Sequence, residues 1–259
     1  MNGLKNFNGL GWSSFALLLL LWEVAARTAP GLESYLPPIS AVTAALGQLF
    51  LGGQVRDHVL ATVERFFVGY LIAAAIGVGF GIALGYFHSL HNLFGIVIEF
   101  LRPMPSVAII PVAILMLGIG DSMIIAVTVY ATVWPILINT VDGVRHIEST
   151  LIDTGRTFGL SGWRVLWQIV LPGASPYIVT GLRIALSIAL ILVTTAEMVA
   201  GSKGLGFFIL DEERSMNSSN MYAGIIIVAA LGYVLNRFFL GVEARVMRWR
   251  HGMVAQGIA

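Results

Sequence analysis

Four stretches of the chain lack Asp, Glu, Lys and Arg over lengths that match the thickness of a lipid bilayer. These runs cover residues 66–87, 103–120, 122–141 and 215–236, which are 22, 18, 20 and 22 residues long. A helix needs about 20 mainly apolar residues to cross the hydrocarbon core, where every backbone polar group must find a partner within the protein. The runs therefore predict an all-α, polytopic membrane protein.

The composition supports this class and excludes several others. Hydrophobic residues make up 57% of the chain and charged residues 11%, and the mean hydropathy is +0.86. Soluble domains carry about 25% charged residues, so a soluble enzyme is excluded. The net charge of +1 argues against a nucleic-acid partner, which requires a basic face. Without cysteine, the chain has no disulfide, no thiol chemistry and no cysteine-ligated metal.

Two weaker apolar stretches raise the expected number of spans to six. The first is interrupted by Glu23, and it is interpreted as an anchor because no A-x-A cleavage site of a signal peptide follows it. The other contains Arg183 and Glu197 near its two ends, where long side chains reach the interface. The third span is expected to extend back through Glu99 and Arg102. We predict one transmembrane domain over residues 1–259, with spans at about 12–26, 63–87, 93–118, 122–142, 177–200 and 217–240.

The distribution of Lys and Arg predicts the orientation of these spans, because cytoplasmic segments carry an excess of both residues. With the two termini in the cytoplasm, eight basic residues lie inside and four outside, so this orientation is favoured. The inside residues are Lys5, Arg145, Arg156, Arg164, Arg237, Arg245, Arg248 and Arg250. The outside residues are Arg27, Arg56, Lys203 and Arg214.

Glycines at four-residue spacing mark one face of the second span. Gly77, Gly81 and Gly85 form the small-residue pattern that brings membrane helices close together. The pattern predicts a packing face rather than a ligand site. It leaves open whether the partner is another span of the chain or a second copy.

Prolines interrupt the third span near its start. Pro103, Pro105 and Pro111 each remove a backbone donor, so the helix is expected to break or kink there. Two interpretations stay open. Arg102 could mark the cytoplasmic interface and pair with Glu99, or the broken segment could line a wet pathway, where irregular backbone is tolerated. Glu197 has the same two alternatives, an interface anchor or a pathway residue.

Motifs for nucleotide, nucleophile or metal chemistry are missing from the chain. A P-loop requires Gly-Lys followed by Ser or Thr, but the two lysines, Lys5 and Lys203, precede Asn and Gly. Neither G-x-S-x-G nor H-E-x-x-H occurs, and the five histidines are scattered. The chain is therefore predicted not to be an enzyme, and any ATP hydrolysis must come from another subunit.

The cytoplasmic loop 145–172, between spans four and five, is predicted to form two short helices. The first begins at Ser149 or Thr150, with Thr150 and Asp153 as a capping box, and ends at Gly159. Ser161 caps the second helix, 163–171, and Pro172 closes it. Such a hairpin suits docking to a soluble partner, although an amphipathic hairpin lying on the membrane is the alternative.

This loop resembles the E-A-A-x-x-x-G-x9-I-x-L-P motif of permease subunits in bacterial ABC importers. The spacing and the second half of the motif match in full, through Gly159, Ile169 and 171–172. The first three letters differ, because Asp replaces Glu and Thr-Gly replaces two alanines. The resemblance implies an ATPase-coupling role for Asp153, Thr154, Gly155, Arg156, Gly159 and Leu160.

Other features, spread over most of the chain, are similar to the nitrate/sulfonate/taurine group of these importers. They are Leu36-Pro37-Pro38, His58-x3-Thr62-x2-Arg65-x3-Gly69, 101–105 with Pro111, 118–120, Asn139-Thr140-x2-Gly143, Pro176, 181–183, 196–197 and 204–206.

The resemblance implies a permease subunit in the bacterial inner membrane. Two permease chains, expected to be a homodimer, would form the pathway for a small solute, an anion such as nitrate, sulfonate or taurine, delivered by a periplasmic binding protein. ATP and Mg would bind to two partner ATPase subunits, and no cofactor to this chain. The alternative is a secondary transporter without an ATPase, although the internal repeats typical of that class are not evident. Candidate pathway-lining residues are Arg102, Pro103, Met104, Pro105, Asn139 and Glu197.

Overall fold

The computed structural model describes residues 9–28 and 35–247; both chain termini, whose sides of the membrane were predicted above, lie outside these ranges. Within them the chain is helical and contains no β-strand. The helices are α1 (Gly9–Thr28), α2 (Ile39–Leu51), α3 (Arg56–Tyr86), α4 (His88–Leu101), α5 (Ile110–Leu117), α6 (Asp121–Arg145), α7 (Ser149–Thr157), α8 (Gly162–Val165), α9 (Leu171–Ala200), α10 (Leu205–Arg214) and α11 (Ser218–Val246).

Helices α3, α6 and α9 form the centre of the bundle, and small residues allow them to approach closely. A Cβ added to Gly81 of α3 would lie 2.6 Å from the Cβ of Thr140 in α6, and one added to Gly77 would lie 2.8 Å from Ile136. Gly85 packs in the same way against Val144. The glycine face therefore packs against another helix of the same chain, which settles the alternative left open by the sequence.

The contact between α6 and α9 uses glycines from both helices. A Cβ on Gly143 of α6 would lie 2.6 Å from the Cβ of Tyr177, and one on Gly181 of α9 would lie 2.9 Å from the Cβ of Asn139. Around these contacts, residues with no exposed surface, such as Ile124 and Val193, fill the core. The close approach of the backbones fixes the three central helices as one unit.

Four helical segments are long and apolar enough to cross a membrane: Arg56–Tyr86, Asp121–Arg145, Gly162–Ala200 and Ser218–Arg245. A fifth span is obtained if α4 and the segment Ser106–Leu117 are counted together, although they are bent by 89°. The structure thus confirms an all-helical, multi-pass protein. The predicted span 12–26 falls within α1, which is not among these five, so the total of six stays a prediction.

The 89° bend lies where the prolines predict a break. Helix α4 ends at Leu101, and the chain resumes as a 3-10 turn at Ser106–Ile109 before α5. Pro103 and Pro105 fall between these elements, where they cannot donate the bonds that would continue α4. The predicted interruption of the third span is confirmed.

Candidate functional site

The first helix of the 145–172 loop begins at Ser149 and ends before Gly159, both as predicted. Helix α7 ends at Thr157, and Gly159 has a φ of +81°. The Gly159 N–H donates to the Arg156 carbonyl and the Leu160 N–H donates to the Gly155 carbonyl, at 2.9 and 3.1 Å. This pair of bonds is the Schellman arrangement that terminates helices at glycine.

The predicted capping box at the start of α7 is wrong. The residue before the helix is Glu148, and no side chain caps the first turn. Thr150 lies inside the helix, where its carbonyl accepts a 2.7 Å bond from the Thr154 hydroxyl. Because the helix starts two residues earlier than a Thr150 cap requires, Thr150 and Asp153 are not at the N-cap and N3 positions.

The second helix does not stop at Pro172, which corrects a further prediction. Ser161 precedes the first residue of α8, but helical structure then continues from Gly162 to Ala200, 39 residues in all. A π-helical turn at Leu166–Val170 ends two residues before Pro172. This wider turn accommodates a proline that would otherwise clash with the carbonyl four residues earlier. The second arm of the hairpin is therefore continuous with a membrane span.

The hairpin, defined here as residues 149–170, is anchored by its apolar side. Val165 is fully buried, and Ile152 and Leu160 pack against the cluster around it. Gly155 is buried beside Ile169, the residue that ends the nine-residue interval of the motif. Two of the predicted coupling residues, Gly155 and Leu160, thus hold the hairpin in place.

The opposite side of the hairpin is open. The remaining predicted coupling residues, Asp153, Thr154, Arg156 and Gly159, are exposed. Arg156 lies 3.5 Å from Asp153 in an ion pair that is itself exposed. Exposed aromatic side chains, Phe158, Trp163 and Trp167, flank these polar residues. The hairpin thus presents a mixed polar and aromatic surface, which is typical of a protein docking site.

The break in the third span lies near the middle of the bundle. The Tyr130 hydroxyl donates a 2.8 Å hydrogen bond to the carbonyl of Leu101, the last residue of α4. At a rise of 1.5 Å per residue, Tyr130 is about 14 Å from the first residue of α6 and about 22 Å from the last. Arg102 and Glu99 form no ion pair with each other among the described residues. Residues 102–105 are exposed in the single chain.

Glu197 is the most enclosed charged residue in the described part of the chain, with an exposure of 0%. Its Oε1 lies 2.8 Å from Nη1 of Arg65. The Thr62 hydroxyl lies 3.0 and 2.9 Å from its two oxygens, and the Gly206 N–H donates to Oε2 at 3.0 Å. A buried carboxylate is stable only when it is paired and hydrogen-bonded in this way.

The same network holds the segment 201–206 against α3. Nη1 of Arg65 also donates to the Lys203 carbonyl at 2.7 Å, and the Leu205 N–H donates to Thr62 at 2.8 Å. A side chain on Gly204 would overlap the Glu197 carboxylate, so glycine is required there. In this conformation Glu197 is buried and paired, and it joins α3, α9 and the start of α10.

Sequence reasoning quoted these motifs separately and assigned no shared role to them. The pattern at 58–69 lies over a hundred residues before the pair 196–197 and the segment 204–206, yet all three meet at Glu197. The only available signal was the co-occurrence of unpaired charges and glycines in otherwise apolar surroundings. Asp121, which binds Arg65, lies outside all of these motifs.

Asn139 has a local role in the structure. Its amide donates to the Pro135 carbonyl at 2.7 Å within α6, and its Cβ faces Gly181 of α9. The side chain thus occupies the contact between two helices of one chain.

Comparison with known proteins identifies the class to which this fold and hairpin belong. Residues 75–248 match the family of the binding-protein-dependent transport system inner membrane component. The chain belongs to this family of ABC transporter permeases. It is a permease of an ABC importer, a transport component of the inner membrane and not an enzyme.

Three relatives illustrate the similarity. A putative ABC transporter permease of Methanocaldococcus jannaschii is 33% identical, over 92% of this chain and 91% of its own length. The taurine transport system permease TauC of Escherichia coli is 29% identical over 95% and 90%. The nitrate import permease NrtB of Synechocystis is 30% identical over 90% and 87%.

A solved structure supports the fold. In inward-facing conformations of the MetNI methionine ABC transporter, a chain that is 21% identical superposes with a TM-score of 0.64, covering 77% of this chain and 98% of that one.

Proposed function

We propose that this chain forms, with a second identical copy, the transport pathway of the importer, and that the hairpin 149–170 receives the motion of two ATPase subunits. The observation that carries this proposal is the continuity of the hairpin with a membrane span. Helical structure runs from Gly162 at the hairpin to Ala200, three residues beyond the Glu197 network. A displacement of the hairpin is therefore passed along one continuous helical segment of 39 residues.

The two sides of the hairpin have different roles: one anchors it to the bundle and the other binds the ATPase. The buried contacts of Gly155, Val165 and Ile169 fix it to the bundle, and the exposed surface around Asp153 and Arg156 is free for the partner. ATP and Mg bind to the ATPase subunits, and this chain supplies no nucleotide site. ATP binding and hydrolysis then switch the assembly between two arrangements through contacts that differ between them.

We further propose six spans, with the termini and the hairpin in the cytoplasm of a bacterial cell. The excess of eight basic residues over four on that side supports this orientation. Helix α1, which is mostly exposed in the single chain, is the sixth span in this proposal. A periplasmic binding protein then meets the opposite end of the bundle, where Arg65 and Glu197 lie.

The pathway is proposed to pass the break between α4 and α5. An exposed guanidinium and irregular backbone near mid-height cannot face lipid, so Arg102 and Met104 are expected to face water between the two copies. A cationic group at that position suits a small anionic or zwitterionic solute. The relatives that transport taurine and nitrate support this class of cargo.

The proposal is tested by the substitution Gly159→Trp. Gly159 has a positive φ and no atom lies within 4 Å of a Cβ built there, so the substitution strains the turn by about 1 kcal/mol or more and obstructs the partner's surface without disturbing the spans. We expect normal membrane abundance, loss of uptake of labelled taurine and nitrate by cells that contain the full importer, and uncoupled ATP hydrolysis.

Gly53→Trp is the matched control. Gly53 also has a positive φ, +69°, and open space around it, but it lies in the turn between α2 and α3, at the other end of the bundle. It is expected to retain ATPase coupling. Wild-type transport by Gly159→Trp would show that the hairpin is not the coupling element.

A further inference from the structure

A groove of about 480 Å³ opens beside Arg65, at the end of the bundle opposite the hairpin. Five charged residues from three segments line it, together with apolar residues of α3 and α6. The charged residues are Asp57, Glu64, Arg65, Asp121 and Lys203. Arg65 lies at its floor and connects it to the buried Glu197 network.

The guanidinium of Arg65 binds two carboxylates in different surroundings. Nη1 lies 2.8 Å from Oε1 of Glu197, which is completely buried. Nε and Nη2 lie 2.8 and 2.6 Å from Oδ1 of Asp121, whose side chain is 69% exposed. Breaking the buried pair leaves charges without water or partner, whereas the exposed pair can exchange its partner for water at little cost. The Arg65 contacts therefore have a fixed half and a releasable half.

The releasable half is attached to a corner of the chain that contains two glycines with open space around them. Asp121 follows two glycines, Gly118 and Gly120, with φ values of +76° and +149°, and no atom lies within 4 Å of a Cβ built on either. On the other side of this corner, α5 buries only Ile110 and Ala113. The corner 118–121 thus connects α5, which has few buried residues, to the central bundle. The ion pair between Arg65 and Asp121 holds this corner against α3.

We propose that Arg65 is a positioning residue of the transport cycle: it stays bound to Glu197 and the segment 201–206 while its pair with Asp121 opens and closes as the corner 118–121 and α5 change position. The contacts of Arg65 with Glu197 stay the same throughout the cycle, and the pair with Asp121 is closed in only one position of α5. This inference rests on the proposed function, because α5 begins beside the break assigned to the pathway.

The test uses two pairs of cysteines in a chain that has no natural cysteine. Glu64→Cys with Asp121→Cys places thiols on the two sides of the releasable half. Glu64→Cys with Lys203→Cys places them across the fixed half, because the Lys203 carbonyl, which is retained, binds Arg65. All three positions line the same groove. Both variants are assembled with the ATPase subunits and treated with a short, disulfide-cleavable bis-thiosulfonate.

Cross-linking of the 64–121 pair is expected to abolish ATP hydrolysis by the assembled complex. Reduction of the linker is expected to restore hydrolysis to the rate of the same variant before cross-linking, in which the pair with Asp121 is already absent and the corner is not held. The 64–203 pair is expected to cross-link with no loss of hydrolysis. Full hydrolysis in the cross-linked 64–121 protein would overturn the inference, and so would equal inhibition by both cross-links or a failure of only the 64–121 pair to cross-link. If the wild-type complex hydrolyses no ATP, the proposed function itself fails; hydrolysis that is insensitive to the 64–121 link refutes only the role of Arg65.

Discussion

At the scale of single residues, one buried carboxylate organises an end of the bundle. Glu197 accepts hydrogen bonds from Thr62, Arg65 and Gly206, and each donor belongs to a segment that would otherwise have to satisfy its polar groups elsewhere. Glu197 therefore stabilises the fold mainly because its removal would leave these buried donors without a hydrogen-bond partner.

We expect Glu197→Ala to destabilise the protein strongly. The side chain of Arg65 is only 8% exposed, and removing one partner of a buried ion pair costs about 3–5 kcal/mol. The melting temperature of the detergent-solubilised protein should fall by roughly 6 °C or more, and its membrane abundance should fall with it.

Glu243→Ala provides the comparison, because Glu243 also pairs with an arginine, Arg183, at 2.6 Å. Those two side chains are 28% and 44% exposed, so their pair is expected to contribute about 0–1 kcal/mol. Equal losses of stability in the two variants would contradict the structural role given to Glu197.

At the scale of helices, the close contact of α3 and α6 depends on glycine. We expect Gly81→Leu to force the helices apart, since its Cβ alone would lie 2.6 Å from Thr140 and 3.0 Å from the Leu137 carbonyl. Overpacking of this kind costs about 1–3 kcal/mol. Gly79→Leu, on the same helix with no atom within 4 Å, should be tolerated. The measurement is the membrane abundance and melting temperature of the two variants. Equal values for Gly81→Leu and Gly79→Leu would contradict the close packing of α3 and α6.

The broken third span supplies a second prediction at this scale. A cysteine at Met104 should react with a small polar thiol reagent, and its rate should change with ATP, because the break is proposed to face the pathway. A cysteine at Leu20, on the exposed apolar surface of α1, should stay unreactive if α1 faces lipid. Absence of labelling at Met104 throughout the cycle would show that the segment is only structural.

For the molecule as a whole, the number of spans determines on which side of the membrane each loop and terminus lies. Reporter fusions at Ala259 and within 201–220 should report opposite sides of the membrane, with the C-terminus in the cytoplasm. The expectation combines the basic-residue excess with the span that α11 forms between these positions. A periplasmic C-terminus would refute the six-span arrangement and place the hairpin on the wrong side for an ATPase.

The sequence by itself determined the class of this protein and the glycine turn that ends α7. Charge-free runs of about 20 residues admit few structures other than membrane helices. A glycine that ends a helix leaves a local signature, and Gly159 formed the predicted turn because the two hydrogen bonds of that turn span only three and five residues of the chain. The break at residues 102–105 was predictable for the same reason, since a proline acts on its own helix.

The tertiary structure decided what depends on distant partners. Gly81 packs against Thr140, a residue of another span in the same chain. Glu197 is paired with Arg65. Both partners lie far away in sequence, so neither contact could be predicted from the local pattern. Pro172 is a case in which the local signal was misleading. A proline predicts a helix end, but the helix continues past Pro172, because the π turn before it makes room for the proline ring and the buried residues Val165 and Val170 hold the segment in place. Local rules set the spans and turns, because their physical causes are local. The buried charge network required the fold, because Arg65 and Glu197 are 132 residues apart in the chain.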